Sequence, residues 1–492
     1  LDFTKEELAR YGEYCNNDVE LTHKLFNILS KNFPKNELSL IDMTIRMFTH
    51  PVLMVDDALL QDRAIELQEE KLALLESLMD RLKCEDAEAV RKKLASNNKF
   101  AELLIEYGIK PPMKESPTTG KQTYALAKND EGFIALTEHE DPFIQQLCAV
   151  RLGTKSTIEE SRIERFISVG KRNKGRLPIP LKYYGAHTGR WAGSDKVNFQ
   201  NLPSRDKKKK ALKNAVIAPD DHIVINCDSS QIEARVLAWL AGQDDVTKQF
   251  ANGEDVYSLF ATKIYEKPIS KANPIERFVG KTCILGLGYG TGSKKLQHTL
   301  KTTPPGVEVD DDMAKKYVDT YREANDKIMA LWREGDKVID NLSNWPDNFV
   351  TQQPKKPYSY GKHSCLIVNP TGIRLPNGLY IRYPELAKDT EESKTKYTYK
   401  SRKGPVSLWG GSLVENVVQA LARIVVGEQM LEINKRYPVV LTVHDAAVCV
   451  VPQEEKDEAM EYIIKCMSVA PAWAKGLPVT CEAASATSYG EC

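Results

Sequence analysis

The stretch IVINCDSSQIEARVLAW, residues 223–239, leaves a folding chain few options. Ile223, Val224 and Ile225 form a β-branched apolar run that predicts a strand, and this strand carries Asp228 to its end. A small-residue turn follows. Ile232, Val236 and Leu240 then recur at helical spacing, which predicts a helix directly after the turn. Taken alone, Asp228 with Ser229 and Ser230 reads best as a helix cap. A second β-rich run, Val439-Val440-Leu441-Thr442-Val443, delivers His444-Asp445 in the same way far downstream. Two strand-borne carboxylates in one chain point to a pair that holds a metal ion.

At 492 residues the chain exceeds one ordinary core and is expected to form two to four domains. Its 42% hydrophobic and 28% charged residues are those of a soluble globular protein. No apolar run approaches the roughly 20 residues that span a bilayer. LDFTKEELAR at the start lacks the apolar core of a signal peptide, so a cytoplasmic location with no membrane partner is expected. Residue 1 is Leu, which suits a fragment or a processed product. Ten cysteines without a C-x-x-C pair argue against zinc and for reduced thiols. The formal charge of zero hides an asymmetry: residues 151–214 hold 17 Lys and Arg against 5 Asp and Glu, including the run Lys207 to Lys210. Such a face attracts polyanions. Tyr183, Tyr184, Trp191, Gln200 and Asn201 lie among these cations and are expected to stack on or hydrogen-bond to nucleotides.

In chain order, residues 5–33 read as a helix with Tyr14, Asp18 and Leu21 on one face, ended by Pro34. Residues 56–83 predict one long amphipathic helix and 86–107 a second helical run. The segment 111–126 reads as an exposed turn-rich loop with Lys114 and Lys121 available to phosphates. Helix returns over 142–175, and 176–203 reads as irregular strands and turns. Helices are expected at 244–252 and 255–265. In ERFVGKTCILGLGYG, residues 276–290, Arg277, Lys281, Leu285 and Tyr289 are spaced four apart. On a helix rising about 1.5 Å per residue they make one stripe, with two cations for a triphosphate at one end and a ring for a base at the other. Glycines 280, 286, 288 and 290 are costly in a helix and imply a close approach or a hinge; a helix packed through a small-residue face is the competing reading. Residues 309–343 read as helix, 344–410 as hairpins and loops, 411–435 as a long helix bearing Gln419 and Arg423, and 454–467 as a final helix.

DSSQIEARVLA (228–238), R-x-x-x-K-x-x-x-L-x-x-x-YG (277–290) and VHD (443–445) resemble motifs A, B and C of the family A DNA polymerases, in the same order and spacing. TGRWAGSDKVNFQNLP (188–203) resembles a fourth segment of that family. The resemblance runs nearly continuously from Pro34 onwards and is strongest towards bacteriophage members. It implies an α+β right-hand fold. The implied division is 1–33, a remnant of a 3′–5′ exonuclease domain; 34–175, the run-in to the palm and the thumb; 176–240, palm; 241–345, fingers; and 346–492, palm. It further implies template-directed DNA synthesis, with primer-template DNA and dNTPs as partners and a monomeric state. Two Mg²⁺ ions, replaceable by Mn²⁺, would be held by Asp228, Asp445 and the Ser229 carbonyl. Lys281 is the implied proton donor to the leaving group. Arg277, Lys281, Leu285, Tyr289, Gln231, Tyr257 and the steric gate Glu233 would surround the nucleotide. Arg190, Gln200, Asn201, Gln419 and His444 would contact DNA.

The chain departs from the family pattern at several positions. Leu285 stands where a Phe or Tyr is usual, and an aliphatic side chain cannot stack on a sugar as a ring does. Ala446 replaces a Glu, Tyr257 a His and Ser229 a Tyr. Tyr14 and Asp18 resemble the last exonuclease motif, but its upstream motifs are absent from these residues, so no proofreading is expected. Two rivals remain: a single-subunit RNA polymerase, against which Glu233 argues, and a silent DNA-binding relative in which Ala446 marks decay.

Overall fold

The computed structural model describes residues 3–116, 120–195, 197–203, 208–344, 356–389, 396–402 and 404–492. His222–Ser229, which buries Ile223, Val224, Ile225 and Cys227, becomes one of the two inner strands of an antiparallel sheet. The strand order is Val439–Val443, Ala446–Pro452, His222–Ser229, Cys481–Ala486. Its register sets Asp228 between Ala446 on one side and Glu482 on the other. Cross-strand partners share a face of the sheet, so Glu482 and Asp228 project the same way.

The helix Gly410–Ile433 is buried along most of its length and joins two cores. Val426, Met430 and Ile433, near its C-terminal end, pack with the sheet and with the helix Lys35–Thr49. Leu413 to Val425 pack among the helices Ile232–Ala241, Pro274–Leu287, Asp311–Ala324 and Asp326–Ser343. Where the cores meet, Arg423 donates to Glu37 at 2.6 and 2.8 Å, and both side chains are 2% exposed. A third core forms between Leu75 and Val150, largely from short helices.

Several elements differ from expectation. The helix 56–83 is Asp57–Glu76; beyond it Leu78 and Leu82 turn inward without helical backbone and are buried. Ser96 splits 86–107 into Ala87–Ala95 and Asn97–Glu106, because its extended backbone ends one helix while its hydroxyl accepts from Lys99 N in the next. Asn325 similarly divides 309–343, its amide bonded back to the Tyr321 carbonyl. The region 142–175 is likewise two helices, Pro142–Lys155 and Ile158–Arg172. The loop 111–126 contains a hairpin, Met113–Glu115 with Gln122–Tyr124, and Lys114 is paired with Asp130 at 2.6 Å. The region 344–410 forms a four-stranded and a three-stranded sheet. Lys207, counted in the basic run, lies outside the described residues, as do 117–119, 204–206 and 345–355.

The aromatic part of the basic face is also corrected. Trp191 is buried and donates to Thr44, Tyr183 donates to Glu37, and the rings of Tyr183, Tyr184 and Trp191 surround the Arg423 guanidinium. These rings solvate a buried cation and are committed to that core. Arg151 is buried too, lying over Phe100.

Candidate active site

Asp228 stands near the end of its strand, open to solvent above but crowded by the sheet below. Burial, and then the negative charge of Glu482, push its carboxyl above the ordinary range. Asp445 does not sit on a strand: it forms with His444 the two-residue turn between Val439–Val443 and Ala446–Pro452. His444 has φ of 52°, and the Asp445 carbonyl accepts from Ser229 N at 3.1 Å, which ties the turn to the strand bearing Asp228. Burial raises the Asp445 carboxyl to about 6; the Arg190 guanidinium, 3.6 Å away, opposes that rise, while Glu233 and Asp228 add to it.

Both aspartates line one cavity of about 630 Å³ together with Ser229, Gln231, Glu233, Tyr257, Arg277, Lys281, Leu285, Tyr289 and Glu482. The expected catalytic, metal-binding and nucleotide residues therefore converge, although they come from segments distant in sequence. Arg277, Lys281 and Leu285 share the helix Pro274–Leu287, whereas Tyr289 lies just beyond its end and still enters the cavity. Gly280 explains the close helix packing: a Cβ there would lie 2.2 Å from the Tyr257 carbonyl oxygen. The small-residue-face reading is correct at that position.

Charges in the cavity are paired unevenly. Arg277 is held by Asp255 at 2.6 and 3.3 Å. Arg190 and the Tyr289 hydroxyl both donate to Glu233, the latter at 3.1 Å, and the buried Arg190 Nε has no partner among the described residues. Burial pushes the Tyr257 phenol up to about 12, so it stays protonated beside Arg277 and Lys281. No ion pair among the described residues neutralises Asp228. Asp228 and Asp445, with their charge only partly met in a cavity that also holds Glu233 and Glu482 against Arg277 and Lys281, suit hard divalent cations.

Gln200 is used structurally: its side chain accepts from His444 N at 2.6 Å and donates to the Thr442 carbonyl at 2.9 Å, while His444 Nε2 lies 2.9 Å from the Gln200 carbonyl oxygen. The Asn201 carbonyl accepts from Arg162. Gln419 accepts from Thr188 at 3.4 Å and donates to Glu415 at 3.1 Å. Tyr14 and Asp18 lie apart on Lys5–Leu29, a helix with no buried residue. Two neighbours escaped the sequence reading. Glu415 is four residues before Gln419 and so shares its helix face, whereas Glu482 reaches the site only through strand register, for which the tail sequence carries no local signal.

The family model for DNA polymerase family A matches residues 65–342. The DNA polymerase of Bacillus phage SP02 is 25% identical over 532 residues, covering 97% of this chain and 74% of that protein. The thermostable DNA polymerase I of Thermus caldophilus is 27% identical over 280 residues, covering 57% of this chain and 31% of that protein. Among solved structures, the POL domain of Pol1 from M. smegmatis, in complex with DNA primer-template and dNTP, superposes with a TM-score of 0.67 at 18% identity. It covers 92% of this chain and 70% of its own. That likeness is one of fold.

Proposed function

This chain belongs to DNA polymerase family A, and from that premise we propose that it extends a DNA primer on a template by adding dNMP from dNTP, in phage DNA replication. The observation that carries the reading is the cavity in which Asp228 and Asp445 face Arg277, Lys281 and Tyr289. On this reading residues 34–175 form the run-in to the palm and the thumb, 176–240 with 346–492 the palm, and 241–345 the fingers. Asp228, Asp445 and the Ser229 carbonyl would hold two Mg²⁺ ions, or Mn²⁺. Once bound, the ions supply Lewis acidity at the attacking and leaving oxygens.

The chain's own groups do the rest. The primer 3′-hydroxyl gives up its proton to solvent as its oxygen attacks the α-phosphorus, and the bond to pyrophosphate breaks in line. Lys281 steadies the triphosphate and gives a proton to the departing pyrophosphate. Arg277 exchanges Asp255 for the triphosphate oxygens, trading one charge-assisted bond for another. Gln231 and Tyr257 close the triphosphate side. Glu233, held by Arg190 and Tyr289, fills the space a ribose 2′-hydroxyl would need. Tyr289 and Leu285 border the base and sugar. Arg190, whose Nε has no partner among the described residues, and Gln419 meet the minor groove at the primer terminus, while Gln200, Asn201 and His444 shape the floor beside it. Residues 1–492 are proposed not to proofread by themselves; of that motif set they hold Tyr14 and Asp18.

The test is primer extension with Mg²⁺ and dNTPs, run beside Asp228→Ala and Asp445→Ala. Extension by the parent and none by either variant supports the reading. A parent that binds primer-template without extending it directs attention to Ala446, which faces Asp228 across the sheet, and to rescue by Ala446→Glu. Release of nucleotides from a mismatched primer, abolished by Asp18→Ala, would overturn the absence of proofreading.

A further inference from the structure

Cys481–Ala486 is an edge strand of the four-stranded sheet, and its register sets Glu482 directly opposite Asp228. Side chains directly opposed on neighbouring strands share a face, with Cβ atoms about 4.5–5.5 Å apart. On the other side of Asp228 the register sets Ala446, which offers only a methyl group. Both Asp228 and Glu482 line the cavity and are open to solvent.

Like charges placed opposite each other destabilise a sheet, so this pair is costly unless a cation meets it. Four acids line the cavity: Asp228, Glu233, Asp445 and Glu482. Glu233 accepts from Arg190 and from Tyr289, and Asp445 has Arg190 3.6 Å away. Among the described residues, Asp228 and Glu482 have no cation within ion-pair reach, and the Glu482 carboxylate makes no hydrogen bond. Two hard-oxygen donors on one face, short of counter-charge, suit a divalent ion between them. We propose that Glu482 is a third carboxylate of the metal site, holding a divalent ion jointly with Asp228 from the strand on the far side of Asp228 from Asp445. This rests on the polymerase reading above and adds one residue, from the last strand of the sheet, to the donor set of Asp228, Asp445 and the Ser229 carbonyl. Within that site Glu482 raises occupancy by the ion and fixes which side of Asp228 the ion takes.

The probe is Mn²⁺ alone, followed by the paramagnetic resonance of the free ion, on the whole chain without DNA or nucleotide. Glu482→Gln keeps the shape of the side chain and removes its charge. It is expected to bind Mn²⁺ about tenfold more weakly than the parent. In Asp228→Asn the same change at Glu482 should cost little more, because one ion is shared; additive losses would mean separate sites and overturn the proposal. In metal-free buffer Glu482→Gln should melt at or above the parent, since an opposed charge has gone, and should gain less on adding Mn²⁺. Equal Mn²⁺ affinity in parent and Glu482→Gln would overturn the proposal, as would a parent that binds no Mn²⁺. A lower melting temperature without metal, or failure of Glu482→Gln to fold, would also overturn it and leave Glu482 a structural role. Primer extension is scored separately: a parent that binds Mn²⁺ as expected but extends no primer would defeat the polymerase reading and leave the metal site standing.

Discussion

At Asp445 burial and function pull in opposite directions. Burial raises its carboxyl from 3.8 to about 6, so the folded chain takes up a proton there well before the unfolded chain does. Without metal, stability contributed by this group therefore falls as pH rises from 3.8 to about 6, and stays reduced above that. A divalent ion competes with the same proton, so raising Mg²⁺ from about 1 to about 10 mM is expected to move the acid limb of the extension profile to lower pH. A limb indifferent to Mg²⁺ would assign it to another group. Glu233→Ala opens the space beside the sugar and is expected to raise the ribonucleotide-to-deoxynucleotide incorporation ratio by about 10- to 200-fold, measured as relative kcat/KM. Most residues lining the cavity were legible in the sequence because motif spacing needs only local order. Glu482 was not, since its place beside Asp228 depends on a register between segments far apart in the chain. Tyr183, Tyr184 and Trp191 misled because composition does not reveal which way a ring points.

Among the described residues every α-helix but one contributes buried side chains. Helix Lys5–Leu29 is capped at its start, where Thr4 and Glu7 exchange bonds, yet buries nothing. A chain beginning at residue 30 is expected to melt within about 2 °C of the parent, because an element with no buried apolar surface adds little to cooperative stability. A larger drop in a calorimetric scan would mean the helix packs against something. The opposite holds at the junction of Lys35–Thr49 and Gly410–Ile433. Arg423→Ala strands Glu37 as a buried charge and should cost about 3–5 kcal/mol, read from denaturant midpoints. Periodicity revealed the helices themselves; it missed the breaks at Ser96, whose hydroxyl takes the Lys99 N–H that a continuous helix would have bonded, and at Asn325, whose side chain adds a second bond to the Tyr321 carbonyl.

Across the whole molecule, zero net charge coexists with a cationic stretch, so the proposed association with DNA is expected to follow local rather than total charge. Primer-template affinity is expected to fall by about 10³ or more between 50 and 200 mM salt, as for about six or more phosphate contacts. A flat salt dependence would mean that this face is not the binding surface. The right-hand architecture was legible through its motifs, whereas the bridging of two cores by Gly410–Ile433 was not, because apolar faces alone do not name their partners. The sheet beneath the two aspartates has one more implication. Its strands come from residues 222–229, 439–452 and 481–486, so the strand 222–229 waits unpaired on both edges while some two hundred further residues leave the ribosome. On the proposed reading, a nascent chain would have the helix bearing Arg277 and Lys281 long before the sheet under the two aspartates could close, and extension would require synthesis through Ala486.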